Sequence, residues 1–178
     1  GHFYYDARFT LDEVFNTSDN IIITTSCLGG LLWKGRHKPE LIKKFLSFAH
    51  DNKHRVFLEI QYHNHPDQIV YNQWLYRLSL QHGFKLISGT DTHSLNEDYA
   101  MARRILMQAK GIQFQDEDTF DLTFKSYDEV VKMYEIQGAI SKSAYLEAIE
   151  FTNEMADMVE NFQLDTTPKY PKLYENAE

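Results

Sequence analysis

The sequence has few of the features that mark secreted, membrane-spanning or disulfide-stabilised proteins. One cysteine, Cys27, among 178 residues excludes an internal disulfide framework and is typical of a reducing compartment. The apolar stretches are only a few residues long, far short of the roughly 20 residues that span a bilayer. No charged segment followed by an apolar one opens the chain, as it would in a signal peptide. We therefore expect a cytoplasmic protein.

Basic residues are also scarce, because 18 Lys and Arg stand against 26 Asp and Glu and give a net charge of -8. Contacts with a phosphate backbone depend on Lys and Arg, so this balance argues against a protein that coats DNA. It leaves phosphoester chemistry open, since a local metal site can receive a phosphate. The chain has no P-loop, no dinucleotide-binding glycine pattern and no G-x-S-x-G motif.

The residue pattern predicts an α/β fold with mostly parallel strands. Three β-branched or apolar runs predict strands at residues 21–25, 56–61 and 86–90, and their continuous apolar character is typical of strands buried on both faces. Helices are expected between them at residues 39–52 and 66–82, each with proline at its start. Gly83 is expected to end the second helix in a left-handed conformation.

The second half predicts helices separated by loops. Asn96 is expected to cap a helix ending near Lys110, and a capping box at Ser126 starts another. Either Ser141 or Ser143 begins a third, through about Glu160. Residues 112–124 are expected to be a loop with an acidic cluster, and residues 165–174 an extended tail.

Three clusters of metal-binding residue types follow the three predicted strands. Glu59 and His63 share one side of a strand if it continues that far, and Asp91 and His93 have the same spacing. Cys27 follows the first strand as a thiolate that suits zinc. Each cluster also has a simpler interpretation: solvated loop residues for the first, an Asx turn for the second, and a packed thiol for the third.

Together the clusters are more informative, because functional sites in parallel α/β proteins collect at the C-terminal ends of strands. The pattern therefore predicts a metal-dependent hydrolase. Four other histidines lie on polar faces and are expected at the surface: His37, His50, His54 and His82. His65 is expected to be a surface residue or a support for the ligands. The tryptophans, Trp33 and Trp74, are expected in the core.

The chain also resembles a known family, the PHP (polymerase and histidinol phosphatase) domain of bacterial or phage DNA polymerase III alpha subunits. The matching stretches keep their order along nearly the whole chain; they are residues 3–9 (FYYDARF), 25–30 (TSCLGG), 58–63 (LEIQYH), 89–93 (GTDTH), 124–130 (FKSYDEV), 148–159 and 168–171 (PKYP). The resemblance implies a partial PHP-type (β/α)7 barrel over residues 1–112. Residues 113–178 would then be a helical segment and an extended tail leading toward a polymerase palm.

The resemblance also implies a function. It assigns zinc or manganese ligand roles to five residues: Cys27, Glu59, His63, Asp91 and His93. It further implies metal-assisted phosphodiester hydrolysis, a 3′→5′ exonuclease activity in some family members. The parent enzyme would be a DNA-directed DNA polymerase whose partners are DNA, deoxynucleotides and other replisome subunits. The family's first histidine motifs and its palm are not in this sequence, so we expect an incomplete site and no polymerisation by this chain alone.

Two alternatives stay open. The chain could be a free-standing PHP phosphatase, although residues 125–174 would then have no obvious role. It could also be a non-catalytic scaffold. In either case a partial barrel exposes sheet edges, and exposed edges favour pairing with a second copy, so we expect a tendency to dimerise.

Overall fold

The structure, a computed structural model, describes residues 3–112 and 120–167. Its strands are β1 (Phe3–Tyr4), β2 (Asp6–Ala7), β3 (Ile23–Thr24), β4 (Val56–Gln61) and β5 (Leu86–Gly89). Its helices are α1 (Leu11–Phe15), α2 (Leu31–Lys34), α3 (Pro39–Asp51), α4 (Pro66–His82), α5 (Glu97–Ala109), α6 (Tyr127–Gln137) and α7 (Lys142–Asp157). The alternation of strand and helix from β3 to β5 confirms the predicted βαβ arrangement.

A parallel three-stranded sheet lies at the centre, in the order β3-β4-β5. Ile23 pairs with Val56, and Leu58 pairs with Leu86. The middle strand, β4, is buried at every position except Glu59, which is half-buried. This agrees with the prediction of strands covered on both faces. The parallel sheet in the described residues has three strands, so a (β/α)7 barrel remains a prediction.

The first strand of this sheet is shorter than expected. Strand was predicted over residues 21–25, but β3 contains only Ile23 and Thr24. At its start, the carbonyl of Ile21 accepts a hydrogen bond from the Arg55 guanidinium at 3.1 Å instead of pairing along the sheet. At its end, the Thr25 amide still donates to the Phe57 carbonyl of β4 at 3.1 Å. The Ile21 side chain is accordingly 48% exposed.

Local signals place the helix ends well. Helix α4 begins at Pro66 and is followed by Gly83, which has the predicted left-handed backbone with φ of 69°. On this helix Tyr71 and Asn72 are fully buried, whereas Leu80 is 68% exposed. Leu80 lies five residues after the buried Leu75, which places it roughly 140° around the helix from the core-facing side.

Capping residues determine the starts of the later helices. Asn96 caps α5, Ser126 forms the predicted capping box with Glu129, and Ser141 rather than Ser143 caps α7. Helix α7 ends at Asp157, three residues before the expected end. Four short elements were not predicted: β1, β2, α1 and α2. The acidic cluster within residues 113–119 and the proline-containing tail from residue 168 lie outside the described residues.

Helices α6 and α7 pack onto the sheet and contribute to the main core. Thr152 of α7 accepts a hydrogen bond from the Ser88 amide of β5 at 2.9 Å. The rings of Tyr134 and Tyr145 stack with centroids 5.2 Å apart, which joins the two helices. Helices α6 and α7, although distant from the strands in sequence, therefore share one hydrophobic core with them. None of the helices in the described residues combines the length and apolar character needed to cross a bilayer.

Candidate metal centre

The end of β4 brings two polar side chains to the same side of the sheet. Glu59 and Gln61 alternate with the fully buried Ile60, and Gln61 Nε2 donates to Glu59 Oε1 at 2.9 Å. The other carboxylate oxygen, Oε2, accepts from the hydroxyl of Thr24 in β3 at 2.8 Å. Glu59 thus lies where the sequence predicted, but protein donors already contact both of its oxygens.

Gly89, the last residue of β5, allows the Glu59 carboxylate to lie directly against the neighbouring strand. A Cβ atom built on Gly89 would stand 2.2 Å from Glu59 Oε1 and 2.7 Å from its Cδ. These separations are far below van der Waals contact, so only glycine fits beside this carboxylate.

His63, two residues beyond β4, is the most unusual member of the site. His63 is only 3% exposed, and neither ring nitrogen has a hydrogen-bond partner among the described residues. The ring instead contacts Tyr62 and Phe120, with centroids 4.9 Å away in each case. Burial lowers the pKa of His63 to about 4, and the carboxylates of Asp91 and Asp121 counteract this only in part. The imidazole is therefore neutral near pH 7, the form in which histidine binds metals.

Asp91 and His93 form a close pair just after β5. His93 Nε2 and Asp91 Oδ1 are 3.2 Å apart, and both side chains are 31% exposed. Asp91 adopts a left-handed backbone with φ of 49°, which is uncommon for a residue other than glycine. Its carboxylate contacts the ring of His93, which is itself a candidate ligand.

Cys27 lies in the turn between β3 and α2. Its sulfur accepts a hydrogen bond from the Gly29 amide at 3.4 Å, and the side chain is half-buried. The turn is tight, because Ser26 has φ of 60° and the Gly30 amide bonds to the Cys27 carbonyl at 2.8 Å. Residues 29 and 30 thus form the corner between β3 and α2, with Gly30 directly before the helix.

Two charged residues that the sequence did not single out, Asp121 and Lys125, lie beside His63. Lys125 Nζ is 2.8 Å from Asp121 Oδ2, and its side chain is only 9% exposed. Partial burial alone would raise the pKa of Asp121, but hydrogen bonds from Lys125 and Thr123 outweigh it and lower this pKa. Both charges act on the pKa of His63, which places them within electrostatic reach of the candidate ligands.

Backbone contacts join the segment that contains Asp121 and Lys125 to the site. The His93 amide donates to the Leu122 carbonyl at 2.8 Å, and Ser94 forms a parallel bridge with Thr123. The alternation in residues 120–124 (FDLTF) is a strand-like signal that could have revealed the link. The prediction of a loop over residues 112–124 did not use this alternation.

The remaining histidines divide into two groups. His37, His50 and His54 are exposed, which confirms the surface prediction. His82 is half-buried and stacks on Phe84 with centroids 5.4 Å apart, so it was wrongly assigned to the solvated surface. His65 accepts a hydrogen bond from the Asp67 amide and caps α4.

The five predicted ligands do not form a ready coordination shell. Across residues 3–112 and 120–167, no three His, Cys, Asp or Glu side chains are grouped closely enough to hold a metal ion. The structure does collect candidate ligands at the C-terminal ends of adjacent parallel strands. The buried, unpartnered His63 imidazole fits a nitrogen ligand, and the Asp91–His93 pair offers an oxygen and a nitrogen nearby.

These features define an α/β protein with polar side chains gathered at one end of a small parallel sheet. No family model matches the chain. It is similar to DNA polymerase III subunit alpha of Borreliella burgdorferi, with 27% identity over 177 residues that cover 91% of this chain and 14% of that protein. It is also similar to DNA polymerase III subunit alpha of Aquifex aeolicus, with 28% identity over 184 residues that cover 94% of this chain and 16% of that protein.

A third relative shows the same pattern. DNA polymerase III subunit alpha of Helicobacter pylori is 26% identical over 174 residues that cover 87% of this chain. The chain thus spans only 14–16% of the length of these three curated relatives. The similarity extends over nearly all of this chain and concerns a small part of each relative.

Proposed function

We propose that this chain is a PHP-like segment of a replicative DNA polymerase alpha subunit. Similarity to DNA polymerase III subunit alpha over about nine tenths of the chain supports this assignment. The parent protein would transfer deoxynucleotides to a primer and would bind DNA and other replisome subunits. Sequencing the genomic locus around the coding region tests this: a polymerase palm in the same reading frame supports it, and flanking genes without one contradict it.

For the site, the proposal is that Cys27, Glu59, His63, Asp91 and His93 provide ligands for a divalent ion, zinc or manganese. The observation that carries it is the buried His63 imidazole, which lies near the Asp91 and His93 side chains. Its two nitrogens have no hydrogen-bond partner within residues 3–112 and 120–167. An unpartnered buried polar group costs about 1–3 kcal/mol, so a native protein retains one where it has a use.

The protein's own residues would prepare the site in distinct ways. Burial keeps the His63 imidazole neutral and therefore able to bind a metal. Lys125, held by Asp121 at 2.8 Å, adds a positive charge beside the site where a phosphate would approach. A bound divalent ion would supply Lewis-acid activation for phosphodiester hydrolysis, including the 3′→5′ exonuclease type.

A non-catalytic scaffold is the second candidate, and one observation favours it. Both Glu59 oxygens already accept hydrogen bonds from protein donors, and no three ligand-type side chains are grouped in the part of the chain that the structure describes. In this case the same residues would stabilise the sheet end and bind no ion.

Metal content separates the two candidates. The untagged chain is purified without chelator, equilibrated with zinc or manganese, desalted and analysed by plasma mass spectrometry. The metal-site proposal expects stoichiometric metal that is lost in Asp91→Asn and His93→Gln. The control, His54→Gln, changes an exposed histidine outside the site and should retain the metal. Absence of metal in the parent chain, or equal metal in all variants, supports the scaffold.

The variant His63→Leu adds a stability test. Removing an imidazole that makes no hydrogen bond eliminates two buried unsatisfied nitrogens. If His63 serves a ligand, the variant should lose metal while its metal-free stability stays equal or rises, as is common where function conflicts with stability. A large loss of metal-free stability would indicate a structural role instead.

A further inference from the structure

The backbone at the end of β4 loses its strand partner before it reaches His63. Gln61 pairs with Gly89, and this is the last pair in the β4–β5 register. Beyond it, the side-chain amide of Gln137, the last residue of α6, replaces the missing strand. Its nitrogen donates to the carbonyl of Gln61 at 2.9 Å and to the carbonyl of His63 at 2.7 Å.

Gln137 is itself held in one orientation. Gln137 is 6% exposed, and its side-chain oxygen accepts a hydrogen bond from Asn72 Nδ2 at 2.8 Å. The fully buried Asn72 also donates to the Gln61 carbonyl at 2.7 Å. Both amide hydrogens and the amide oxygen of Gln137 are therefore in use, so the side chain cannot flip without losing three hydrogen bonds.

The contact from Gln137 reaches His63 through its backbone carbonyl and not through its ring. No hydrogen bond from the described residues orients the imidazole, and its ring contacts are those with Tyr62 and Phe120. The carbonyl held by Gln137 belongs to His63 itself and fixes the backbone from which the ring projects.

We propose that Gln137 is a positioning residue that holds His63 in the metal site and links α6 to that site. The metal part of this inference rests on the function proposed above. Residues that support a metal ligand typically change metal affinity by about 10–100-fold when replaced. The expected result is a loss of this size in Gln137→Met, which keeps the side-chain length and removes every hydrogen bond.

The experiment measures two quantities in the full 178-residue chain. The first is the affinity for zinc by titration with zinc chloride. The second, which needs no metal, is amide hydrogen exchange at His65, whose N–H donates to the His63 carbonyl at 2.9 Å. In Gln137→Met we expect at least about a tenfold weaker zinc affinity and selectively faster exchange at His65, with exchange at Leu58 little changed.

The matched control is Ser79→Ala. Ser79 donates to the Phe84 carbonyl at 2.7 Å, where the chain enters β5 at the opposite end of the sheet. It should lose general stability without a selective change at His65 or in zinc affinity. If Gln137→Met does not fold, Gln137→Asn is measured instead, because it keeps an amide that is too short to reach both carbonyls.

The outcomes separate this inference from the proposed function. If the parent chain binds no zinc, the proposed metal site fails, and the exchange at His65 alone decides whether Gln137 positions His63. Unchanged exchange at His65 overturns the positioning role. So does zinc affinity that is unchanged in the Gln137 variant of a chain that binds zinc, or a loss that Ser79→Ala reproduces.

Discussion

The close approach of Gly89 to Glu59 gives a sharp prediction about the site. In Gly89→Ala, the new methyl group would stand within 3 Å of three Glu59 side-chain atoms: Oε1 at 2.2 Å, Cδ at 2.7 Å and Cγ at 2.8 Å. A shift of the carboxylate tip alone cannot relieve contacts that include Cγ. The whole side chain must change rotamer, and it then loses its hydrogen bonds from Thr24 and Gln61.

The size of the effect follows from those two bonds. A hydrogen bond to a charged group contributes about 1.5–3 kcal/mol, and water can replace part of this once the carboxylate moves. We therefore expect the free energy of unfolding to fall by about 2–3 kcal/mol, equivalent to a lower melting temperature by roughly 4–12 °C in a chain of this size.

Urea denaturation of single and double variants tests the reasoning. Gly29→Ala is the matched control, because a Cβ there would meet only Cys27 Sγ at an ordinary 3.4 Å. In the Glu59→Ala background, Gly89→Ala should cost little, since the obstructing side chain is gone. The explanation would be refuted if Gly89→Ala were as harmless as Gly29→Ala, or if its full cost persisted in the Glu59→Ala background.

Three other predictions concern stability and assembly. Arg55→Lys should lower the free energy of unfolding, measured by urea denaturation, by about 2–4 kcal/mol, because the buried guanidinium donates to the carbonyls of residues 17, 18 and 21. The control Arg36→Lys changes an exposed arginine that lies over Trp33 and should cost under about 1 kcal/mol. Equal losses in the two variants would contradict this expectation. Burial raises the pKa of Tyr134, so above the unfolded pKa near 10 the folded state keeps a proton that the unfolded state loses. The free energy of unfolding should therefore be unaffected below that pH and should fall above it by about 1.4 kcal/mol per pH unit. This slope should be smaller in Tyr134→Phe, and an unchanged slope would count against the role of Tyr134. Pairing of two copies through the β3 edge should give concentration-dependent dimers by light scattering, and a clean monomer at high concentration would argue against it.

Local chemistry explains which elements could be predicted from the sequence. Helix α4 has proline at its first position and Gly83 after its last, and α6 has a complete capping box at Ser126. These signals act within a few residues of the helix end, so no tertiary information is needed. Helices α1 and α2 have only five and four residues, and such short elements carry too little periodicity to recognise.

The site shows where sequence reasoning stops. Glu59 lies on the same side of β4 as Gln61, as alternation along the strand requires, because side-chain parity is a local property of a strand. Asp121 and Gln137 were missed because tertiary packing brings them to the site from segments that carry no ligand motif. The contact of Gln137 with the His63 carbonyl joins residues 74 positions apart, a separation at which composition and periodicity give no information.

The hydrogen bonds from α6 to the end of β4 also have a consequence for how the chain is made. Tyr134 and Gln137 bond to carbonyls that precede them by 74–76 residues. At a synthesis rate of about 5–20 residues per second, the ribosome needs roughly 4–15 s to deliver these partners after it has made β4. During this interval the carbonyls of Ile60 and His63 lack their bonds from α6. A strand end that lacks these partners exposes free carbonyls to other donors, and the synthesis of α6 supplies the native ones.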